Sequence, residues 1–351
     1  MPSIEIREVS NYILENVNLD VLNKELLVLV GPNGAGKTTL LNIIAGLTDY
    51  IGEVFLDGKK IDKIPINKRE IGFLFQDLAL FPHLKVTSNI AYGLVAQGYS
   101  EKVVKKRVSE LLDFLNIRSI KDRYPRSLSG GEKQRVALAR AIAPFSKILL
   151  MDEPMSSLDP QTFRFLRGEL RSLLKKLEIT TIYVTHDLLE AEEMADRIAF
   201  IYKGQIEQIA SPDEFLFNPK TDNVLEFIGI PNIFNCDYCN ILSPGLIEVT
   251  IGNMHLVLPY EGNTGIKKVA IFPQDIYLSV VKPPGPELNR FKGIITEIIK
   301  LTSVSRVKVD ISGNILVGEL SREAALEMNL EEGKEVFVII KLRRLRYAER
   351  T

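Results

Sequence analysis

Through the first 230 residues, compact apolar runs alternate with longer stretches whose apolar positions recur every three or four residues. Leu26–Val30, Ile71–Phe75, Lys147–Met151, Thr180–Thr185 and Arg197–Tyr202 are short and rich in β-branched residues, the pattern of strands buried on both faces. Lys37–Gly46, Glu101–Leu115, Glu132–Ala143, Gln161–Lys176 and Asp187–Ala195 carry helical spacing. This alternation predicts a largely parallel sheet with helices on both faces.

The pattern changes after Ile230-Pro231. Short alternating runs follow, separated by Gly, Pro and Asn: Leu246–Ile251, His255–Leu258, Val269–Phe272, Lys292–Ile298, Arg306–Asp310 and Glu335–Lys341. Only Arg322–Met328 has helical spacing there. Pro283-Pro284-Gly285-Pro286 can carry neither a central strand nor a helix interior and is predicted as a linker or long turn. The expected organisation is an α/β domain over 1–230 and a small all-β, barrel-like domain over 235–351.

A chain of 351 residues is long enough for two or three domains at about 150 residues each. With 44 Lys and Arg against 45 Asp and Glu, it carries no global attraction for nucleic acid. The longest apolar runs fall far short of the about 20 residues that a spanning helix needs. The opening Met1-Pro2-Ser3-Ile4-Glu5 lacks a basic segment followed by an apolar one, so no secretory signal is expected. Action at a membrane therefore calls for another subunit to cross it. The two cysteines, Cys236 and Cys239, fit a reducing compartment. Their C-x-x-C spacing lacks the second pair of a zinc site and the βαβ context of a redox site, which leaves them structural or incidental.

Gly31-Pro32-Asn33-Gly34-Ala35-Gly36-Lys37-Thr38-Thr39 matches G-x-x-x-x-G-K-[ST], directly after one predicted strand and before a predicted helix. Glycines let backbone N–H groups approach phosphates, and the helix N-terminus adds partial positive charge. Lys37 supplies a cation for the β- and γ-phosphates of ATP, and the Thr38 hydroxyl a ligand for Mg²⁺. A distant acid must complete the metal site. The run Lys147–Met151 ends in Asp152-Glu153-Pro154. Asp152 is expected to hold Mg²⁺ and Glu153 to act as general base on the attacking water.

Leu128-Ser129-Gly130-Gly131-Glu132-Lys133-Gln134 resembles the signature segment of ABC ATPases, with Glu132 where Gln is usual. Gln76 resembles the family's Q-loop glutamine, Ser157-Leu158-Asp159 its D-loop, and His186 its switch histidine, all in the family's order. The resemblance spans nearly all of 1–230 and implies a RecA-like P-loop core with a helical subdomain at about 77–135. It also implies a head-to-tail dimer, in which Lys37, Thr38, Gln76, Asp152, Glu153 and His186 of one copy face Ser129 and Gly131 of another across ATP. Gln76 is implied as a catalytic and Mg²⁺-facing residue, Asp159 and Gly130 as part of the nucleotide site, and Tyr12 as the aromatic that stacks on adenine.

The segment Gln76–Leu94, with Phe81-Pro82-His83-Leu84, Asn89 and Gly93, resembles the part of binding-protein-dependent importers that receives a membrane subunit. His83 is accordingly a surface residue near that interface. Val269–Ser279 resembles part of the accessory TOBE domain of importer ATPases, with Phe272 and Gln274 where relatives carry Arg and Glu. Leu288–Ile298, Arg306–Asp310, Leu320–Leu326 and Val336–Lys341 resemble a molybdate/tungstate-binding, Mop-like module. The resemblance implies an OB-like barrel and an ATPase on the cytoplasmic membrane face. Its partners would be a second ATPase subunit, permease subunits and, indirectly, an extracytoplasmic binding protein, with molybdate or tungstate as cargo. Sulfate, phosphate, a sugar or a polyamine are the alternatives. Tetrahedral oxyanions are held by neutral donors, and Ser303, Ser305 and Ser321 lie where such a module would present them, against the plainer view of ordinary loop serines. A soluble ABC ATPase acting on nucleic acid or ribosomes would typically carry a long coiled-coil insertion or two ATPase units, and neither is visible. A nucleotide-binding regulator without turnover would not need Glu153 and His186.

Overall fold

The computed structural model describes residues 2–155, 160–260, 262, 265–285, 287–342 and 345–349, with the backbone alone for Pro2 and for 160–166. The chain divides into two compact units, Met1–Phe215 and Leu216–Thr351.

The elements of the first unit are β1 (Pro2–Ser10), β2 (Val17–Leu22), β3 (Leu26–Val30), α1 (Lys37–Ala45), β4 (Ile51–Leu56), β5 (Lys59–Lys60), β6 (Ile71–Leu74), α2 (Val86–Ala96), α3 (Glu101–Phe114), α4 (Gly130–Ile142), β7 (Ile148–Asp152), α5 (Pro160–Leu177), β8 (Thr180–Val184), α6 (Leu188–Met194), β9 (Arg197–Tyr202) and β10 (Gln205–Ala210); α7 (Pro212–Phe217) straddles the division. One sheet has the order β10-β9-β3-β8-β7-β6. Neighbours from β9 to β6 pair in parallel, and β10 closes the edge antiparallel to β9. The five strands expected from compact apolar runs form this parallel portion. β3, β7 and β8 are buried at every position, as parallel strands covered on both faces must be.

A second sheet, β2-β1-β4-β5, is antiparallel. β2 alternates buried and exposed residues along its whole length, so only one face is covered. Helix α1 lies in the core cluster these two sheets share, with Leu40, Leu41, Ile43 and Ile44 fully buried. Each such side chain contributes about 1.5–3 kcal/mol, which anchors the loop that precedes α1. Gly46, at φ 85°, ends the helix. Arg69 donates to the terminal carbonyl of Ile44 at 3.0 Å.

The second unit contains α8 (Asp222–Ile228), β11 (Asn232–Asn235), β12 (Tyr238–Ser243), β13 (Gly245–Ile251), β14 (Met254–Tyr260), β15 (Ile266–Ile271), β16 (Ile276–Ser279), β17 (Arg290–Lys300), β18 (Val304–Ile311), β19 (Asn314–Ser321), α9 (Arg322–Glu327), β20 (Glu335–Ile340) and β21 (Arg346–Glu349). Its sheets run β11-β15-β21, β12-β13-β14 and β16-β20-β17-β18-β19, all antiparallel. The five-stranded sheet curls until its edge strands meet: a Cβ on Gly318 of β19 would come within 3.2 Å of Ile276 of β16. That closure gives the OB-like barrel. The Pro283–Gly285 stretch lies between β16 and β17, and Arg290 holds it by donating to the carbonyls of Pro283, Pro284 and Gly285.

Candidate functional site

Parallel strands place all their C-terminal ends on one edge, where ligands of open α/β sheets bind. The loop Gly31–Gly36 leaves β3, Asp152-Glu153 ends β7, His186 follows β8, and Gln76 follows β6. Because β3, β8, β7 and β6 are consecutive neighbours, these four segments share that edge.

Only glycine fits two positions of the loop. A Cβ on Gly31 would meet Ile201 O at 2.1 Å, and Gly36, at φ 107°, is pressed against Leu14, where a Cβ would lie 2.4 Å from Cδ2. Ala35 N donates back to Pro32 O at 3.3 Å, closing the loop. Pro32, Asn33 and Gly34 are exposed, whereas Ala35 and Thr39 face inward. The first turn of α1 has no acidic residue and no side-chain cap, so its N–H groups and dipole are directed at whatever the loop encloses. Tyr12 is 80 % exposed, adjacent to Ile13 and Leu14, which pack on Gly36.

Lys37 is buried and donates from Nζ to the carbonyls of Gly31 at 2.8 Å and Pro32 at 2.9 Å. An ammonium has three N–H donors, and the loop carbonyls take two. Burial lowers the pKa of Lys37, with the carboxylates of Glu153 and Asp152 acting the other way. The Thr38 hydroxyl donates to Asp152 Oδ1 at 3.1 Å. Burial raises the pKa of Asp152, and adjacent Glu153 adds to the rise, while the bond from Thr38 and the charge of Lys37 oppose it. A hydroxyl and a carboxylate that gains from a nearby cation are the hard oxygen donors Mg²⁺ prefers, so the residues fit that ion.

Glu153 adopts φ 40°, unusual for a non-glycine residue, and its N–H donates to Val184 O at 3.1 Å. Its Oε1 lies 3.3 Å from His186 Nδ1, so β7 and β8 bring the expected base and the expected histidine into contact. Gln76 is exposed in a turn closed by Leu78 N donating to Phe75 O at 2.9 Å. Ser129 caps α4: its Oγ accepts from Glu132 N at 3.3 Å, and its own N–H donates to Glu132 Oε2 at 2.8 Å. The unusual Glu132 thus completes a capping box. Gly130 is exposed and Gly131 half-buried. Asp159 lies outside the described residues.

Two groups around the site went unnoticed in the sequence. Glu190, buried on α6, accepts hydrogen bonds from Tyr183 and Thr185 of the β8 segment, and Thr185 Oγ1 also accepts from Asp187 N at 3.0 Å. This brackets the peptide of His186. Arg140 and Asn89 hold the segment after Gln76. Glu190 and Arg140 belong to no local motif, and Asn89, although it falls in the Gln76–Leu94 segment, had been given no role there. The one available signal was a Glu on the inward face of a short helix.

In the second unit, Ser303 and Ser321 meet at one end of β18 and β19: Ser303 O accepts from Arg322 N at 3.3 Å, and Ser321 Oγ caps α9 by accepting from Ala324 N at 3.2 Å. Ser305 is buried, at 1 % exposure.

A profile of the ABC transporter family matches residues 14–156, and one of the TOBE domain matches 286–346. The chain is 34% identical over 336 residues to the molybdate/tungstate import ATP-binding protein WtpC of Pyrococcus abyssi, covering 95% of this chain and 96% of that protein. It is 37% identical over 328 residues to the sulfate/thiosulfate import ATP-binding protein CysA of Synechocystis, covering 93% and 88%. The dimeric, post-hydrolysis structure of the ATP-binding cassette MJ0796 with ADP and Pi aligns with TM-score 0.52 and 31% identity, over 60% of this chain and 98% of that one. No helix among the described residues is long and apolar enough to cross a membrane. With a phosphate-binding loop, a hydroxyl–carboxylate pair and a carboxylate–histidine pair on one sheet edge, the chain belongs to the ATP-binding subunits of ABC transporters and is an ATPase that uses ATP with Mg²⁺.

Proposed function

We propose that this ATPase drives an oxyanion importer from the cytoplasmic face of the membrane, with molybdate or tungstate as cargo. Sulfate, phosphate, sugar and polyamine import are the alternatives. The observation that carries the reading is an alignment with a molybdate/tungstate import protein that runs through both units, over 95% of this chain. Residues 1–230 bind and hydrolyse ATP, and 235–351 form the accessory domain.

Lys37 and the backbone N–H groups of residues 33–39 neutralise the β- and γ-phosphates of ATP. Thr38 and Asp152, with Gln76, hold Mg²⁺, which offsets charge on the phosphate oxygens when bound. Glu153 accepts the proton of the attacking water. His186, in contact with Glu153, orients that carboxylate and reaches the γ-phosphate. Tyr12 stacks on adenine. The capping box occupies an acceptor site of Ser129 Oγ but not its O–H, so Ser129, with Gly130 and Gly131, can donate to the γ-phosphate of a second copy. ATP binding closes this dimer, and hydrolysis reopens it. Permease subunits dock on the helical subdomain near His83, and an extracytoplasmic binding protein delivers cargo to them. Ser303 and Ser321, with Ser305 buried in the adjacent strand, hold the transported oxyanion and slow the ATPase when the cell is replete.

Calorimetric titration of the full chain with tungstate, molybdate, sulfate and phosphate tests the cargo. Saturable binding of tungstate or molybdate alone supports it. Binding of none removes the feedback site while leaving the ATPase intact.

A further inference from the structure

The turn that carries Gln76 exits through two residues in an unusual conformation. Leu78 and Ala79 have φ of 60° and 42°, a region L-residues with a Cβ avoid. Their carbonyls are both taken by one side chain. Arg140, in the last turn of α4, donates from Nη2 to Leu78 O at 2.8 Å and from Nη1 to Ala79 O at 2.5 Å. Its guanidinium also lies 5.2 Å from the centre of the Phe81 ring. Phe81 in turn packs on Tyr92 of α2, with ring centres 4.5 Å apart. The fully buried Asn89 of α2 holds the same segment, accepting from Phe81 N at 2.9 Å and donating to Phe81 O at 3.1 Å and Leu84 O at 2.9 Å.

Arg140 therefore joins two parts of the site. At one end of α4 stands Ser129, the N-cap. At the other, Arg140 clamps the chain two residues beyond Gln76. A helix of 13 residues is a rod of about 20 Å that moves as one body. A guanidinium suits the task because its planar fork serves two carbonyls at once, which an ammonium does less well.

We propose that Arg140 is a positioning residue of the ATPase, fixing the Gln76 turn to the helix that begins at Ser129 so that the two keep one relative position. The inference rests on the roles given above to Gln76 and Ser129. Arg140 grips the Leu78 and Ala79 carbonyls and acts through Gln76. Its loss lets the Leu78-Ala79 backbone relax to ordinary angles and draws Gln76 out of place.

The test is a double-mutant cycle on the full chain, using Arg140→Ala, Gln76→Ala and the pair, with steady-state MgATP hydrolysis and thermal unfolding as readouts. A displaced Gln76 lowers kcat about 10- to 100-fold, while the KM for MgATP stays within about threefold because Lys37 and the phosphate loop are untouched. The double variant is expected to match Gln76→Ala alone, since there is no second loss to incur. Arg140→Lys, which keeps the charge but is shorter and lacks the planar fork, is expected to recover part of kcat. A wild-type kcat in Arg140→Ala, or losses that multiply in the double variant, overturns the proposal and leaves the assignment of Gln76 standing. A wild-type kcat in Gln76→Ala overturns both. If Arg140→Ala does not fold, the same cycle with Arg140→Lys decides by the same criterion.

Discussion

Replacing Glu153 by Gln isolates one step of the chemistry. The substitution keeps length and shape, so the contact between Oε1 and His186 Nδ1, 3.3 Å long, can be re-formed by the amide. What is lost is the ability to take a proton. Removal of a general base slows turnover by about 10²–10⁴-fold, equivalent to about 2.7–5.4 kcal/mol of barrier. Binding should move the other way. The carboxylate lies close enough to Asp152 to raise its pKa, so deleting its charge leaves a less negative pocket for a triphosphate. MgATP should then bind at least as tightly, and the chain should accumulate as an ATP-bound dimer. Glu153→Gly separates chemistry from backbone strain. At φ 40°, glycine relieves about 1–2 kcal/mol of left-handed strain, so this variant should unfold at a higher temperature while losing the same turnover. Single-turnover hydrolysis, ATP binding by calorimetry, mass by light scattering and thermal unfolding measure the four quantities. A Glu153→Gln variant that hydrolyses within about tenfold of wild type would refute the base assignment, because a general base typically contributes about 10²-fold or more. Tight ATP binding without dimerisation would refute the head-to-tail site.

Lys37→Ala should weaken MgATP binding by about 10- to 100-fold or more, since charge-assisted hydrogen bonds contribute about 1.5–3 kcal/mol each; equal affinity in a filter-binding assay would contradict the phosphate role. Glu190 is buried, and burial raises its pKa above the ordinary 4.5 even though Thr185 and Tyr183 donate to it. The folded state therefore holds this proton more tightly than the unfolded state, so its contribution to stability falls as pH rises from 4.5 through the raised value. Glu190→Gln should remove that slope, and a difference in melting temperature that does not change between pH 4 and pH 7 would count against it. Asn289, buried between strands, accepts from Val257 N at 2.8 Å and donates to Val257 O at 2.7 Å. Asn289→Ala orphans both groups and should cost about 2–6 kcal/mol at 1–3 kcal/mol each, read as a lower denaturant midpoint; an unchanged midpoint would mean that water replaces the amide.

What could be read in the sequence follows from how each feature is encoded. The phosphate loop was legible because its chemistry constrains residue type, spacing and flanking elements together; Gly31 and Gly36 are demanded by contacts at 2.1 and 2.4 Å that any Cβ would make. The parallel strands were legible because both faces are buried, which leaves compact apolar runs. The antiparallel sheet β2-β1-β4-β5 escaped for the converse reason. One of its faces stays wet, so Val17–Leu22 reads as alternation, not as a run, and a search for runs passes over it. Helix α2 lies within the helical subdomain that the family resemblance implied, but the spacing of apolar residues did not show it, because Val86–Ala96 mixes β-branched residues, Gly93 and exposed Tyr92 with only a narrow buried stripe of Val86, Asn89, Ile90 and Leu94. One member of that stripe is a polar residue, and it is there to hold a loop, not to fill a core. Arg140, Asn89 and Glu190 share this property. Each is a polar side chain whose hydrogen-bond partners are backbone groups or hydroxyls, some of them as far as 62 residues away. A carbonyl carries no residue identity, so a side chain selected to bind one leaves no complementary letter elsewhere in the chain. Motifs bound to a ligand are therefore visible in one sequence, while the groups that aim those motifs become visible only once the backbone they grip has been folded into place.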